Sequence, residues 1–113
     1  MAVAEHWMLH FLNAGMDLDP AKREDEARHF ATFDADFAVR HAAAIEELCA
    51  RAGLDYFSID CAETPDGELL VFEADTAMIV HDMDPPELYP YKGPQMQKVF
   101  RAFRDMLGRK AGK

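Results

Sequence analysis

The hexapeptide Glu63-Thr64-Pro65-Asp66-Gly67-Glu68, set between two apolar-rich runs, constrains the fold of this chain more than any other stretch. Pro65 presets the φ that a turn needs, and Gly67 tolerates a positive φ that a side chain resists. The flanking runs, residues 56–62 and 69–74, therefore predict the strands of an antiparallel β-hairpin. With Thr64 facing Gly67, Asp60 falls opposite Val71 and Ser58 opposite Glu73. One face then collects Phe57, Ile59, Cys61, Leu70, Phe72 and Ala74 and reads as core. The other collects Ser58, Asp60, Ala62, Leu69, Val71, Glu73 and Asp75.

On that second face Asp60 and Glu73 become diagonal cross-strand neighbours, about 7–8 Å apart at Cα, and Asp75 continues the row. Like charges this close repel, so solvent, a basic group or a cation has to offset them. A hard divalent cation suits three carboxylates. Mg²⁺ takes oxygen ligands at about 2.0–2.1 Å and is commonly held by one or two carboxylates together with substrate phosphates, which implies a nucleotide. The row has a plainer explanation too, because a half-exposed sheet turns charged residues to water at period two. Downstream, His81 and Lys92 are the nearest basic candidates for contact with a phosphate or a transferred group. Loop residues of these types also occur without any ligand.

The segment Gly-Leu-Asp-Tyr-Phe-Ser-Ile-Asp-Cys-Ala, followed by Pro-Asp-Gly-Glu-Leu-Leu-Val-Phe-Glu-Ala-Asp, resembles the metal-binding end of the ATP-grasp superfamily. There an acidic residue on one strand precedes a glycine-containing turn and a strand ending in Glu-x-Asn. Asp60 matches the first acidic ligand, Glu73 the bridging glutamate, and Asp75 the position usually held by Asn. Ser58 stands where many of those ligases have Arg. The likeness covers roughly the C-terminal half of the chain, and the remainder is similar to the tail of bacterial proteins that join tetratricopeptide repeats to an ATP-grasp-like module. It implies Mg²⁺ or Mn²⁺ with ATP as cofactors and a chemistry in which a carboxylate, activated as an acyl phosphate, is attacked by an amine or thiol. Metal ions in such sites neutralise charge that develops in phosphoryl transfer. The family's earlier subdomain, with its lysines and glycine-rich loop, has no counterpart among the six scattered glycines. Two expectations follow: a partial module completed by another segment or chain, or a non-catalytic homodimer that covers the exposed faces of a half-fold.

A length of 113 residues without a Pro/Gly/Ser-rich linker predicts a single domain over 1–113 with one modest core. The 12 Lys and Arg against 21 Asp and Glu leave a net charge of −9, which argues against a nucleic-acid partner. Cys49 and Cys61 have neither Cys-x-x-Cys spacing nor a paired His motif, so neither a disulfide framework nor a zinc site is expected. No apolar run reaches the length of a membrane span and no secretory leader is legible, so the expectation is a cytoplasmic protein.

Along the chain, residues 1–12 alternate as a strand, with His6 and His10 too far apart there to chelate one ion. Asn13-Ala14-Gly15 reads as a turn. Asp19-Pro20 predicts an N-cap and first helical residue, opening a charged helix over 21–33 in which Lys22 and Arg23 read as a solvated face, with contact to a nucleotide's phosphate as the alternative. Asp34 predicts the cap of a second helix over 35–52, with Phe37, His41, Ile45, Leu48 and Ala52 as its inward stripe and Gly53 as its stop. Pro94 opens a third, whose Met96, Val99, Phe100, Phe103, Met106 and Leu107 form an apolar stripe before Gly108. The expected fold is α+β: a small antiparallel sheet that includes the hairpin at 55–75, packed against two or three helices and resembling the C-terminal ATP-grasp subdomain.

Overall fold

A computed structural model describes residues 13–112. The strand expected over residues 1–12, with His6 and His10, lies outside the described residues. Within them the chain is α+β, with five helices and a two-stranded antiparallel sheet. The order is α1 (Asn13–Asp17), α2 (Pro20–Thr32), α3 (Phe37–Arg40), α4 (Ala42–Ala52), β1 (Ser58–Glu63), β2 (Leu69–Asp75) and α5 (Lys92–Ala111).

The start of α2 follows from local chemistry. Asp19 is extended, and its Oδ1 accepts from the amides of Ala21 and Lys22 at 3.0 and 3.3 Å, two donors that no helical carbonyl reaches. Upstream, the turn expected at Asn13-Ala14-Gly15 is instead the one-turn helix α1. Its end is held from outside: the Arg23 guanidinium donates to the carbonyls of Met16 and Asp17 at 2.8 and 2.7 Å, supplying partners that a helix C-terminus lacks. Met16 is buried beside this contact.

The single helix expected over 35–52 is divided. Asp34 sits in a turn and pairs with Lys98 at 3.2 Å, while Asp36, at the N-cap of α3, makes no capping hydrogen bond because Arg40 engages its carboxylate. At His41 the backbone leaves helical values (φ −107°, ψ 14°) and the imidazole turns inward onto Glu63 of β1. The stripe survives in part: Phe37 and His41 are buried, Ile45 and Leu48 half-buried, Ala52 exposed. Gly53 ends α4 at φ 60°, donating to Cys49 O.

The core lies between α2 and α5, where Phe30 and Met96 are buried together and Phe33, Val80, Tyr91 and Phe100 pack around them. Pro94 occupies the first turn of α5, where its missing N–H costs no helical hydrogen bond; the helix itself begins at Lys92 and passes through Gly108 to Ala111. A column of rings, His29, Phe33, Phe37 and His41, runs from α2 onto the α3–α4 junction, with Phe33 and Phe37 stacked at 5.5 Å.

A two-stranded ribbon is marginal unless something packs on it. Here Arg40 and His41 grip Glu63 at its turn end, Phe103 meets Tyr56 edge-on at 5.1 Å, and Lys110 pairs with Asp55 at 2.9 Å. No helix among the described residues is long and apolar enough to cross a membrane.

Candidate functional site

The hairpin turn forms at the expected residues with a different closure. Thr64 pairs with Glu68 rather than Gly67: Thr64 N donates to Glu68 O at 2.8 Å and Gly67 N to Thr64 O at 2.9 Å, with Gly67 at φ 82°. This is a three-residue loop whose last position needs a left-handed residue, and the Thr64 hydroxyl also accepts from Glu68 N. The register then shifts once more between Asp60 and Cys61. Cys61 faces Val71 and Asp60 faces Glu73, so Phe72 is the extra residue of a β-bulge.

These two changes correct the expected faces. Leu69 and Val71 lie with Cys61 and are half-buried, whereas Leu70 and Phe72, expected in the core, are 47% and 49% exposed. The acidic row keeps its side. Asp60 is directly opposite Glu73 instead of diagonal to it, and Asp75 is opposite Ser58. Asp60 and Glu73 are exposed, and neither makes an ion pair or side-chain hydrogen bond among the described residues. Asp75 differs: it is half-buried and its Oδ1 accepts from the Ala77 amide at 2.7 Å, closing the turn that ends β2. No group of three or more His, Cys, Asp or Glu side chains among the described residues is arranged to hold a metal ion. The expected set of Asp60, Glu73 and Asp75 is thus an opposed pair on the open face with a third member tied to its own backbone.

Asp60 leaves a mark on its neighbour. Burial pushes the Cys61 thiol up, and the Asp60 charge adds to the rise, so Cys61 is an unreactive core thiol. Cys49 is exposed on α4.

The two basic candidates are occupied elsewhere. His81 uses Nδ1 to accept from the Met83 amide at 3.2 Å, shaping its own loop. Lys92 is buried, and its ammonium lies 3.3 Å from Glu26 Oε1, 3.1 Å from Asp84 Oδ2 and 4.4 Å from the centre of the Tyr89 ring. An ammonium with two carboxylates and a ring face around it has its charge offset within the fold.

Lys92 belongs to a polar network that the sequence reading passed over. Glu26 is fully buried on α2, and Tyr91 Oη donates to its Oε1 at 2.6 Å. Tyr89 donates to Asp17 at the end of α1. Both phenols are pushed up, first by burial and then by hydrogen bonds to carboxylates that favour the protonated form. The network pins the 76–91 loop to α1 and α2. A signal for it existed: Glu26 shares its helical face with Phe30 and Phe33, an acid on an apolar stripe. The second missed group is Arg40 and His41 on Glu63, with His41 Nε2 at 2.5 Å from Glu63 Oε2.

Comparison with protein-family models, curated proteins and solved structures finds no match for this chain.

Proposed function

We propose that the open face of the hairpin is the cation-binding end of an ATP-grasp-like module, with Asp60 and Glu73 as the protein's ligands for a Mg²⁺ or Mn²⁺ ion that a nucleotide's phosphates share. The observation that carries this reading is the direct opposition of two exposed carboxylates with no basic partner among the described residues. Such a pair is repulsive in the free protein and is relieved by a divalent cation, which completes its shell with water and phosphate oxygens. Asp75 stands at the edge of the site, with its Oδ1 held by the Ala77 amide. Neither Lys92 nor His81 contributes to phosphate binding, so cations for that task come from the segment or chain that completes the module. With that complement, the reaction class is ATP-dependent ligation of a carboxylate to an amine or thiol, in a cytoplasmic setting where Mg·ATP is plentiful.

The test is calorimetric titration of the chain with MgCl₂ or MnCl₂, with and without ATP. Binding is expected in the unaltered chain and is lost in Glu73→Ala, whose circular dichroism and melting remain those of a folded protein. Equal binding by both proteins removes Glu73 from the site.

A second reading has its own observation. Leu70 and Phe72 on the hairpin and Phe103 and Leu107 on α5 are between 39% and 49% exposed, which favours a non-catalytic dimeric interaction domain. The two readings compete for one surface, because Leu70 lies on the same side of the sheet as Asp60 and Glu73.

A further inference from the structure

We propose that the C-terminal half of α5 docks on the acidic face of the hairpin in a second copy of this chain, reciprocally, so that each copy contributes both halves of a two-fold contact. The inference rests on the dimeric reading above and names its surfaces. The apolar stripe of α5 is covered at one end and open at the other. Met96 is buried against Phe30 and Phe100 packs beside it, whereas Phe103 and Leu107, further along the same face, are 39% and 49% exposed. Tyr56 meets one edge of Phe103 and leaves Leu107 open.

Charge selects what covers that open end. Lys98 and Lys110 are paired with Asp34 and Asp55, but Arg101, Arg104 and Arg109 have no carboxylate partner among the described residues. On a chain of net charge −9, the Arg104 guanidinium, three residues before Leu107 at the edge of the exposed apolar stripe, favours an acidic, apolar-spotted surface. The hairpin offers one: Asp60 opposite Glu73, neither with an ion-pair partner among the described residues, with Leu70 exposed on the same side. Both complementary surfaces are on every copy, so a two-fold pairing forms the contact twice and buries double the area of one. It also sets positive charge against negative where two acidic molecules would otherwise repel.

Sedimentation equilibrium of the full chain in EDTA tests the proposal. A dimer is expected, weakening by about tenfold or more between low and high salt because opposed charges are screened. Arg104→Glu and Leu107→Glu each give a folded monomer, and Glu73→Lys combined with Arg104→Glu restores the dimer. If Leu107→Glu fails to fold, Leu70→Glu is measured in its place with the same expected monomer. A dimer indifferent to all of these substitutions overturns the surfaces and leaves the dimeric reading standing. A monomer at every concentration overturns both.

Discussion

Two groups of carboxylates in this molecule are treated in opposite ways. Glu26 and Asp84 are gathered around the Lys92 ammonium under the 76–91 loop, with Tyr91 donating to Glu26. Asp60 and Glu73 stand face to face across the hairpin, exposed and without an ion-pair partner among the described residues. Burial accounts for the difference. A charge taken from water costs several kcal/mol unless paired and hydrogen-bonded, so acids admitted to the interior come with their partners built in. Exposed acids face no such demand and can remain unpaired until a ligand arrives. The first group is therefore built into the fold, and the second is the one on which the proposed binding rests.

The strongest way to break this contrast is to remove the central cation of the buried group. Lys92→Met keeps most of the side-chain volume and leaves Glu26 and Asp84 without their shared counter-charge. Loss of one member of a buried pair typically costs about 3–5 kcal/mol, so chemical denaturation is expected to show the chain near or past its unfolding threshold at neutral pH. Partial recovery when Glu26→Gln is added to Lys92→Met marks the loss as electrostatic. A change below about 0.5 kcal/mol, the range of ordinary surface substitutions, would place Lys92 with the solvated lysines and dissolve the distinction.

Why one group was foreseeable and the other was not has a physical basis. Features set by neighbours in sequence were legible: the Asp19 cap, the Gly53 stop and the Pro65–Gly67 turn each follow from one or two residues' own dihedral and hydrogen-bonding needs. Features set by distant partners were not. The short helix α1 persists because Arg23 reaches back to its carbonyls, and the 35–52 helix breaks because His41 turns toward a glutamate 22 residues away. The hairpin lies between these cases. Its turn was local, but its register depended on Thr64 choosing Glu68 and on a bulge at Phe72, and a one-residue slip exchanges the faces. Two slips in succession restored the side on which Asp60 and Glu73 meet, so the acidic row was legible while the apolar face beside it was misplaced. Lys92 looked like a loop lysine because the carboxylates that claim it come from 66 residues upstream and from the loop itself.

Alkaline pH sharpens the contrast with a smaller effect. Tyr89 and Tyr91 hold their protons in the folded protein beyond the ordinary tyrosine range of about 10, because burial and bonded carboxylates oppose ionisation. Folded pKa values above the unfolded ones mean that this contribution is complete below about pH 10. It is lost as the pH rises further and the unfolded chain releases protons that the folded chain keeps. Each tyrosine then contributes up to about 1.4 kcal/mol of lost stability per pH unit. Denaturation midpoints from about pH 9 to 11 are expected to fall, and Tyr91→Phe should remove about half of the tyrosine share of that slope. An unchanged slope in Tyr91→Phe would mean that its phenol ionises as freely folded as unfolded.

The smallest expected effect has the opposite sign. Glu73→Gln removes one of two opposed charges from an exposed strand pair while keeping its length and its capacity to accept hydrogen bonds. Like charges directly across a sheet destabilise it, and cross-strand terms are worth about 0.2–1 kcal/mol, so the variant should be slightly more stable than the unaltered chain. Because the repulsion acts through solvent, the gain should fade between low salt and about 1 M, where the screening length falls to about 3 Å. Added Mg²⁺ should reverse the ranking, since only the carboxylate form gains from the cation by mass action. A carboxylate whose removal stabilises the free chain, and whose retention stabilises it once a cation is present, is held for binding rather than for folding. If Glu73→Gln instead costs stability in the absence of metal, Glu73 has a structural partner of its own, and the exposed pair belongs with Glu26 and Asp84 after all.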